Sequence, residues 1–304
     1  MVVATTFAKK YRGNKMVKID LSKLKFRSKK YKTMAKQLYG NDGFVIIKRF
    51  MKPKDVQYLV DKYSNKNYME QIKRINKTKQ TDPNNYHNFL MTYFYKNKKS
   101  NYDKTIFKYI KRAYNLRNKV MLQQESDLYM LQYCQKYNLD PNNLKKLRNH
   151  QFGHSFARIA WYRNGEGQIP HFDNPSEIQA IIFLTQKGKD YDSGGLVIHN
   201  DDGTKVDVDS IMGKGDLVLL NSYKKYHEVK PVKCKKNQIG RMHLFIPMIP
   251  DYLFKSSYFF KKNPNKLYFN STIKKCEKKE LLKQHKKALK KKNNKLRAID
   301  DGKE

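Results

Sequence analysis

Apolar residues in the second half of the chain come in short runs separated by turn residues. Between residues 156 and 249 these runs recur at roughly 8–15 residue spacing, and no helical period connects them. Such runs, bounded by Gly, Asn, Asp and Pro, are typical of an all-β sandwich or barrel. The predicted strands are FARIAWY, IQAIIFL, GGLVIH, KVDVDSI, GDLVLL, HEVKPV and RMHLFIPMI. Residues 201–203 (Asp-Asp-Gly) and 213–215 (Gly-Lys-Gly) predict hairpin turns between them.

The first half has a different pattern. Residues 43–50, GFVIIKRF, are β-rich and bounded by Gly and Pro, so they predict a strand. Pro53 suits a first helical turn, and apolar residues follow it at helical spacing as far as Tyr63. Residues 104–137 predict two helices that end near Asn138, with aromatic stripes as packing faces.

These patterns divide the chain into four parts. Residues 1–40 form a basic N-terminal segment of loop with short helix, and residues 41–150 a mixed, mainly helical flank that packs on the core. Residues 151–250 form the β-rich core, and residues 251–304 a basic C-terminal extension. Within that extension, residues 274–297 contain 12 basic and 2 acidic residues and predict a solvated helix.

The charge distribution follows the same division. The chain of 304 residues has 65 Lys and Arg against 27 Asp and Glu, a formal net charge of +38. Residues 151–250 contain 13 basic and 11 acidic residues, a net of +2, so +36 lies outside the core. Basic flanks favour polyanions, among them nucleic acid and acidic protein. The abundant Lys, Asn, Tyr and Ile equally fit the coding habit of an AT-rich genome, which leaves a viral origin open.

Cysteine usage and the N-terminal residues bear on the compartment. Cys134, Cys234 and Cys276 are odd in number and widely spaced, which argues against a disulfide framework or a zinc site. The N-terminal residues lack a continuous apolar stretch, and no segment is long and apolar enough to span a membrane. We therefore expect a soluble intracellular protein without a membrane span.

Four residues of the core have the types and spacing of a metal site. His171 and Asp173 stand two apart, so on a strand end both side chains would point to the same side. His227 follows 54 residues after Asp173, directly after the GDLVLL strand. Two imidazoles and one carboxylate form the facial triad of non-haem Fe(II) oxygenases. Arg241, on the next predicted strand, suits a bidentate grip on a carboxylate.

This pattern resembles the core of the 2-oxoglutarate/Fe(II)-dependent oxygenase superfamily over about residues 150–250. WYRNGEGQIPHFD is similar to the lead into the family's His-x-Asp, and SGGLVIHNDDG to its Gly-Gly hairpin. GKGDLVLLNSYKKYHEVKPV is similar to the strand pair that delivers the distal His. A weaker similarity to prolyl-hydroxylase-like and phytanoyl-CoA-hydroxylase-like members covers GFVIIKRFMKPKDVQYLVDKY.

The resemblance implies an α+β fold with a double-stranded β-helix (jelly roll) core, an N-terminal helical flank and a basic C-terminal helix. It implies that His171, Asp173 and His227 bind Fe(II) and that Arg241 holds the co-substrate 2-oxoglutarate. Together with O₂ these would support hydroxylation of a C–H bond. Tyr162 is a candidate co-substrate contact. His243 either contacts the 2-oxoglutarate tail or lines the barrel.

The substrate is open at this stage, and three alternatives remain. A protein side chain of the prolyl or lysyl type is favoured, because basic flanks can dock an acidic or flexible polypeptide. The second alternative is a nucleic-acid base or nucleotide, and the third is a small metabolite or lipid thioester. A non-catalytic basic nucleic-acid-binding or structural protein on the same fold is the alternative to an enzyme. Oligomeric state is unknown.

Three other histidines are not expected to bind a metal. His150 and His154 lack the Glu of a zinc-protease motif, and we expect loop or strand there. His199, beside Asp201 and Asp202, is expected to be a turn residue.

Overall fold

A computed structural model describes residues 23–64, 70–73, 85–92, 103–123, 130, 134, 138–151, 156–173 and 178–248. Its helices are α1 (Lys29–Tyr39), α2 (Pro53–Tyr63), α3 (Lys104–Met121) and α4 (Leu144–Gln151). Its strands are β1 (Phe44–Ile47), β2 (Glu70–Lys73), β3 (Asn85–Thr92), β4 (Phe156–Tyr162), β5 (Gln168–His171), β6 (Ile178–Phe183), β7 (Ser193–His199), β8 (Lys205–Asp207), β9 (Leu217–Leu220), β10 (Tyr226–Lys233) and β11 (Arg241–Met248). The predictions for residues 1–22 and for the C-terminal extension lie outside the described residues.

The described strands form two antiparallel sheets, and with the helices they give a mixed α+β architecture. The larger sheet has the order β1-β9-β6-β11-β4-β3-β2, and the smaller sheet has the order β5-β10-β7-β8. From β4 to β11 the chain changes sheet at every step except the β7–β8 hairpin. None of the described helices combines the length and apolar character that crossing a membrane requires.

Both faces of β6, in the larger sheet, are buried, which explains why its sequence is almost entirely apolar. Ala180 and Ile182 face a cluster that includes residues of α1, α2 and α3. Ile181 and Phe183 face a second cluster, which contains Leu196 of the smaller sheet. Successive strand residues point to opposite faces, so a strand covered on both sides needs apolar residues at every position. Burial of each Ile or Phe side chain contributes roughly 1.5–3 kcal/mol.

Local signals set the helix starts. Pro53 occupies the first turn of α2, where its missing N–H leaves no donor unsatisfied. Asp103 caps α3, because its Oδ1 accepts from the backbone N–H groups of Thr105 (2.9 Å) and Ile106 (3.2 Å). Its Oδ2 lies 2.9 Å from Nζ of Lys62, so the same carboxylate joins α2 to α3.

The predicted strands and helices of residues 43–63 and 156–248 are observed, with bounds shifted by a few residues. The flank of residues 41–150 does more than pack on the core, since β1 pairs with β9 and β3 pairs with β4. The division at residue 150 stays a prediction. Of the two helices predicted over 104–137, the first is α3. Residues 130 and 134 are helical, and the residues between and around them lie outside the described part.

Of the two predicted hairpin turns, one is confirmed and one is wrong. Residues 201–203 connect β7 to β8, which pair with each other, and Gly203 adopts φ 84°. Residues 213–215 are not a hairpin turn, because β8 lies in the smaller sheet and β9 in the larger one. A turn residue such as Gly215, with φ 83°, serves a crossing between sheets as well as a hairpin. Sequence alone does not separate the two uses.

Candidate metal centre and adjacent arginine cluster

Strand pairing brings His171 and His227 together. β5 and β10 are antiparallel neighbours, and their register places His227 directly opposite His171. Opposed residues of such a pair point to the same face of the sheet. The two imidazole ring centroids are 4.4 Å apart. Two residues 56 positions apart in the sequence thus become adjacent on one sheet face.

Asp173 completes the group from the segment after β5. Its backbone N–H donates to the carbonyl of Ser222 (3.0 Å), which holds the segment against the residues before β10. Its Oδ2 lies 3.3 Å from Nε2 of His227, and its Oδ1 lies 3.7 Å from Nε2 of His171. One nitrogen or oxygen atom from each residue falls within 4.8 Å of the others. We call His171, Asp173 and His227 the metal group.

Backbone carbonyls orient both imidazoles. Nδ1 of His171 lies 2.8 Å from the carbonyl of Ile169, and Nδ1 of His227 lies 3.0 Å from the carbonyl of Lys225. A carbonyl only accepts, so in each ring Nδ1 carries the proton and Nε2 presents a lone pair. This arrangement of the second ring nitrogen is the usual one for metal-binding histidines. The donor set therefore fits a divalent transition metal.

The surroundings keep Asp173 ionised. Burial would raise the pKa of its carboxyl, but hydrogen bonding and charge from His227 and the charge of His171, which act when these rings carry a second proton and no metal, hold that pKa below its ordinary value, together with a hydrogen bond from Ser222. The amide of Gln179 also donates to Oδ2 of Asp173. An ionised carboxylate is the form that coordinates a metal.

Arg241 begins β11 and is enclosed in the protein. It pairs in register with Tyr162 of β4, and its side chain is only 1% exposed. The guanidinium meets a carboxylate of the same chain: Nε lies 2.5 Å from Oδ2 of Asp209, and Nη2 lies 3.1 Å from Oδ1. Burial would lower the pKa of Arg241, but Asp209 raises it further above its ordinary value. The guanidinium is therefore charged and already paired.

Asp209 is a residue that the sequence analysis missed. Besides Arg241, it accepts hydrogen bonds from the hydroxyl of Tyr191 and from the backbone N–H of Leu196 (3.0 Å). Alternation in KVDVDSI makes Asp207 and Asp209 equivalent in the sequence, yet the Asp207 side chain is 41% exposed and that of Asp209 is fully buried. No sequence signal separates the two.

His243 lies beside Arg241 and is neutral. Burial, followed by the charges of Arg241 and Arg158, lowers the pKa of this imidazole well below its ordinary value. Its Nδ1 is 2.8 Å from Nη1 of Arg241 and accepts from it, since the guanidinium only donates. Its ring stacks on Tyr162 at 5.8 Å between centroids. We call Arg241, Asp209, Tyr191 and His243 the arginine cluster.

Tyr162 and Gln168 connect the two groups of residues. The guanidinium carbon of Arg241 lies 5.6 Å from the Tyr162 ring centre, and the Tyr162 hydroxyl lies 3.4 Å from Oε1 of Gln168. Nε2 of Gln168 is in turn 3.3 Å from Nε2 of His171. Tyr162 thus stands between the metal group and the arginine cluster.

The rival histidines are not brought to the metal group in the described part of the chain. His150 falls within helix α4, contrary to the loop or strand expected there, and His154 lies outside the described residues. His199 is a strand residue and not a turn residue, since it ends β7. Its Nε2 lies 2.9 Å from Oε1 of Glu228 on the neighbouring strand.

Searches for related proteins gave matches among solved structures only. No family model and no curated protein matches the sequence. A Pseudomonas putida prolyl-4-hydroxylase is similar at 16% identity and TM-score 0.47, over 71% of this chain and 96% of the other. A prolyl hydroxylase from Trichoplax adhaerens, solved with a peptide fragment of hypoxia inducible factor, is similar at 15% identity and TM-score 0.43, over 77% of this chain and 97% of the other.

A Caulobacter crescentus protein described as a member of the 2OG-Fe(II) oxygenase family is similar at 12% identity and TM-score 0.41, over 72% of this chain and 82% of the other. This is the class that the sequence pattern resembles.

Proposed function

We propose that the protein is an Fe(II)- and 2-oxoglutarate-dependent oxygenase, with His171, Asp173 and His227 as the metal ligands. The observation that carries the proposal is the convergence of three ligand atoms within 4.8 Å. Carbonyl acceptors support it, because they turn both Nε2 lone pairs away from the backbone. Two imidazoles and a carboxylate are the donor set of non-haem Fe(II) oxygenases.

The fold agrees with this proposal. Strands β4, β6, β9 and β11 are neighbours in the larger sheet, and β5, β7, β8 and β10 make up the smaller one. Eight strands divided between two antiparallel sheets, with the chain passing repeatedly from one to the other, are consistent with a double-stranded β-helix. The metal group lies at one end of β5 and β10, and the side chains of His171 and Asp173 are 27% and 18% exposed there.

The metal group, Tyr162 and Arg241 have different roles in the proposed reaction. When bound, Fe(II) with 2-oxoglutarate and O₂ supplies oxidation of a substrate C–H bond, coupled to formation of succinate and CO₂. His171, Asp173 and His227 would hold the ion, and with only three protein donors it could also bind ligands that are not protein. Tyr162 lines the path from the metal group to Arg241. Arg241 supplies the positive charge that a co-substrate carboxylate would meet, as far as Asp209 leaves it available.

The activity is tested by 2-oxoglutarate turnover with Fe(II). We expect the native protein to form succinate and a His171→Ala, Asp173→Ala double variant to form none above background. His199→Gln is the matched control, since this buried histidine of the adjoining strand pairs with Glu228 and lies outside the metal group. Equal succinate formation by the native protein and the double variant would exclude the proposal.

The substrate we propose is a protein side chain of the prolyl or lysyl type. Support comes from the +36 carried outside residues 151–250, which can attract an acidic polypeptide. The experiment is mass spectrometry of candidate peptides, acidic and neutral, for the gain of one oxygen atom. The same charge supports a second candidate, a nucleic-acid substrate or partner. Salt-dependent retention on DNA or RNA that survives loss of the metal group would favour binding without catalysis.

A further inference from the structure

The arginine cluster differs from a simple carboxylate-binding arginine, and the difference concerns the co-substrate of the proposed function. Arg241 donates from Nε and Nη2 to Asp209, and from Nη1 to His243. A guanidinium has five N–H groups. Asp209 and His243 thus take three of them among the described residues, and one N–H on each of Nη1 and Nη2 remains for a further acceptor.

Asp209 is built into its place. The backbone N–H of Leu196 and the hydroxyl of Tyr191 donate to it, in addition to the two bonds from Arg241. Gly195 adopts φ 102°, and a Cβ at that position would lie 2.1 Å from Oδ2 of Asp209. The chain therefore has a residue without a side chain where the carboxylate fits. Asp209 is not a surface group that an arriving anion can push aside.

We propose that Asp209 determines co-substrate specificity by cancelling the charge of Arg241. An incoming carboxylate would be the second anion at one guanidinium, in a site that excludes water. Attraction to Arg241 would then be offset by repulsion from Asp209, because both act over similar distances in the same low-dielectric surroundings. The subsite consequently favours a 2-oxo acid with a carboxylate tail only weakly over one with an uncharged tail.

This inference rests on the proposed function, and equilibrium binding tests it without turnover. The probes are 2-oxoglutarate and 2-oxopentanoate, which share the 2-oxo acid head and chain length and differ in the far carboxylate. Their dissociation constants are measured by calorimetry on the full chain loaded with Mn(II). For the native protein we expect a preference for 2-oxoglutarate below about fivefold, which is less than about 1 kcal/mol of discrimination.

Asp209→Asn separates the charge from the shape of this residue. In this variant we expect 2-oxoglutarate to bind about tenfold tighter or more, because one like charge has been removed from the subsite. Binding of 2-oxopentanoate should stay within about twofold, since it brings no second carboxylate. Asp207→Asn is the matched control: it removes one negative charge two residues earlier, from a side chain paired with Lys187 and 41% exposed. It should change neither constant.

Two results would overturn the inference. A loss of 2-oxoglutarate affinity in Asp209→Asn, relative to 2-oxopentanoate, would mean that Asp209 serves to orient Arg241 for the co-substrate. A native preference for 2-oxoglutarate of about 100-fold or more would exclude charge cancellation directly, and this measurement needs no folded variant. Absence of binding by both probes would also exclude it.

Failure of the inference and failure of the proposed function look different. Mn(II) binding that persists in the His171→Ala, Asp173→Ala double variant would exclude the assigned metal ligands and, with them, the proposed function. Intact Mn(II) binding with the wrong ratio of the two probes would remove only the role of Asp209.

Discussion

The metal group and the arginine cluster are linked through Tyr162 and Gln168, yet they are composed in opposite ways. The metal group collects electron-pair donors of one kind, two imidazole nitrogens and a carboxylate, and stays partly accessible, with the His171 side chain 27% exposed. The arginine cluster matches a cation with an anion, and their side chains are 1% and 0% exposed.

The contrast shows how a ligand-binding group differs from a self-contained one. Like atoms gathered at one point repel each other unless a cation joins them, so the metal group is stabilised by what it binds. Opposite charges that are buried and hydrogen bonded satisfy each other, and removal of one leaves the other uncompensated. A bound metal ion should therefore stabilise the metal group, whereas substitution of either charged partner should destabilise the arginine cluster.

The largest expected effect concerns the metal group. His227→Ala should weaken Mn(II) binding by more than about 100-fold. Loss of a residue that only hydrogen bonds to a ligating histidine already lowers metal affinity by about 10–100-fold. Calorimetric titration with Mn(II) measures it. His199→Ala is the control, a buried histidine of the adjoining strand, and should keep Mn(II) affinity within a few-fold. Unchanged affinity in His227→Ala would contradict the ligand assignment.

The next effect concerns the stability of the arginine cluster. Arg241→Met should lower the free energy of unfolding by about 3–5 kcal/mol, because Asp209 is then a buried charge without its counter-ion. Adding Asp209→Asn removes that charge and should restore a large part of the loss. Urea unfolding of the single and double variants measures both. A double variant whose loss equals the sum of the single losses would contradict the pairing.

A smaller effect distinguishes steric contact with Asp209 from backbone strain. Gly195→Ala should cost about 3 kcal/mol, since it combines a positive φ with a Cβ placed on the carboxylate. Gly165→Ala has a positive φ, 79°, but open space around the added Cβ, and should cost about 1 kcal/mol. Thermal or urea unfolding compares the two variants. Equal losses would mean that the close approach to Asp209 is unimportant.

The smallest effect is a pH dependence within the arginine cluster. Burial holds the pKa of His243 below its unfolded value, so below about pH 6.5 the unfolded chain takes up a proton that the folded chain does not. Stability from this group is present above pH 6.5 and is lost as the pH falls. Between pH 7.5 and 5.5 the native protein should lose about 1.4 kcal/mol more than His243→Gln. The same pH dependence in both proteins would contradict a neutral His243.

Sequence reasoning placed the strands well where local pattern decides them. FARIAWY became β4, and the apolar runs of β6, β7, β9 and β11 were found because their burial requires apolar residues. Strands β2, β3 and β5 were not predicted, since EQIK and NYHNFLMT contain many polar residues and no clear alternation, and QIPH has only four residues. Pairing with a neighbouring strand made them strands, and such pairing is not visible in a short window of sequence.

The same division holds for the site. The sequence motif, a His-x-Asp followed by a distal His, singled out His171, Asp173 and His227. The structure brings these three residues together. Their role as metal ligands stays a prediction. Asp209 has no motif, and its contact with Arg241 joins the segment after β8 of the smaller sheet to β11 of the larger one. A contact across 32 residues and two sheets depends on how the layers pack. The sequence therefore suggested an arginine that binds a co-substrate carboxylate, and the structure pairs the same arginine with Asp209.

The short strand β5 gives the metal group a mechanical consequence. β5 lies at the edge of the smaller sheet, has four residues and is paired in register at His171 and, after a shift, at Gln168. Edge segments held by so few ladder positions open before the rest of a sheet. An ion bound by both His171 and His227 would cross-link the edge strand β5 to β10. Hydrogen exchange of the β5 backbone amides should therefore slow when the metal is bound.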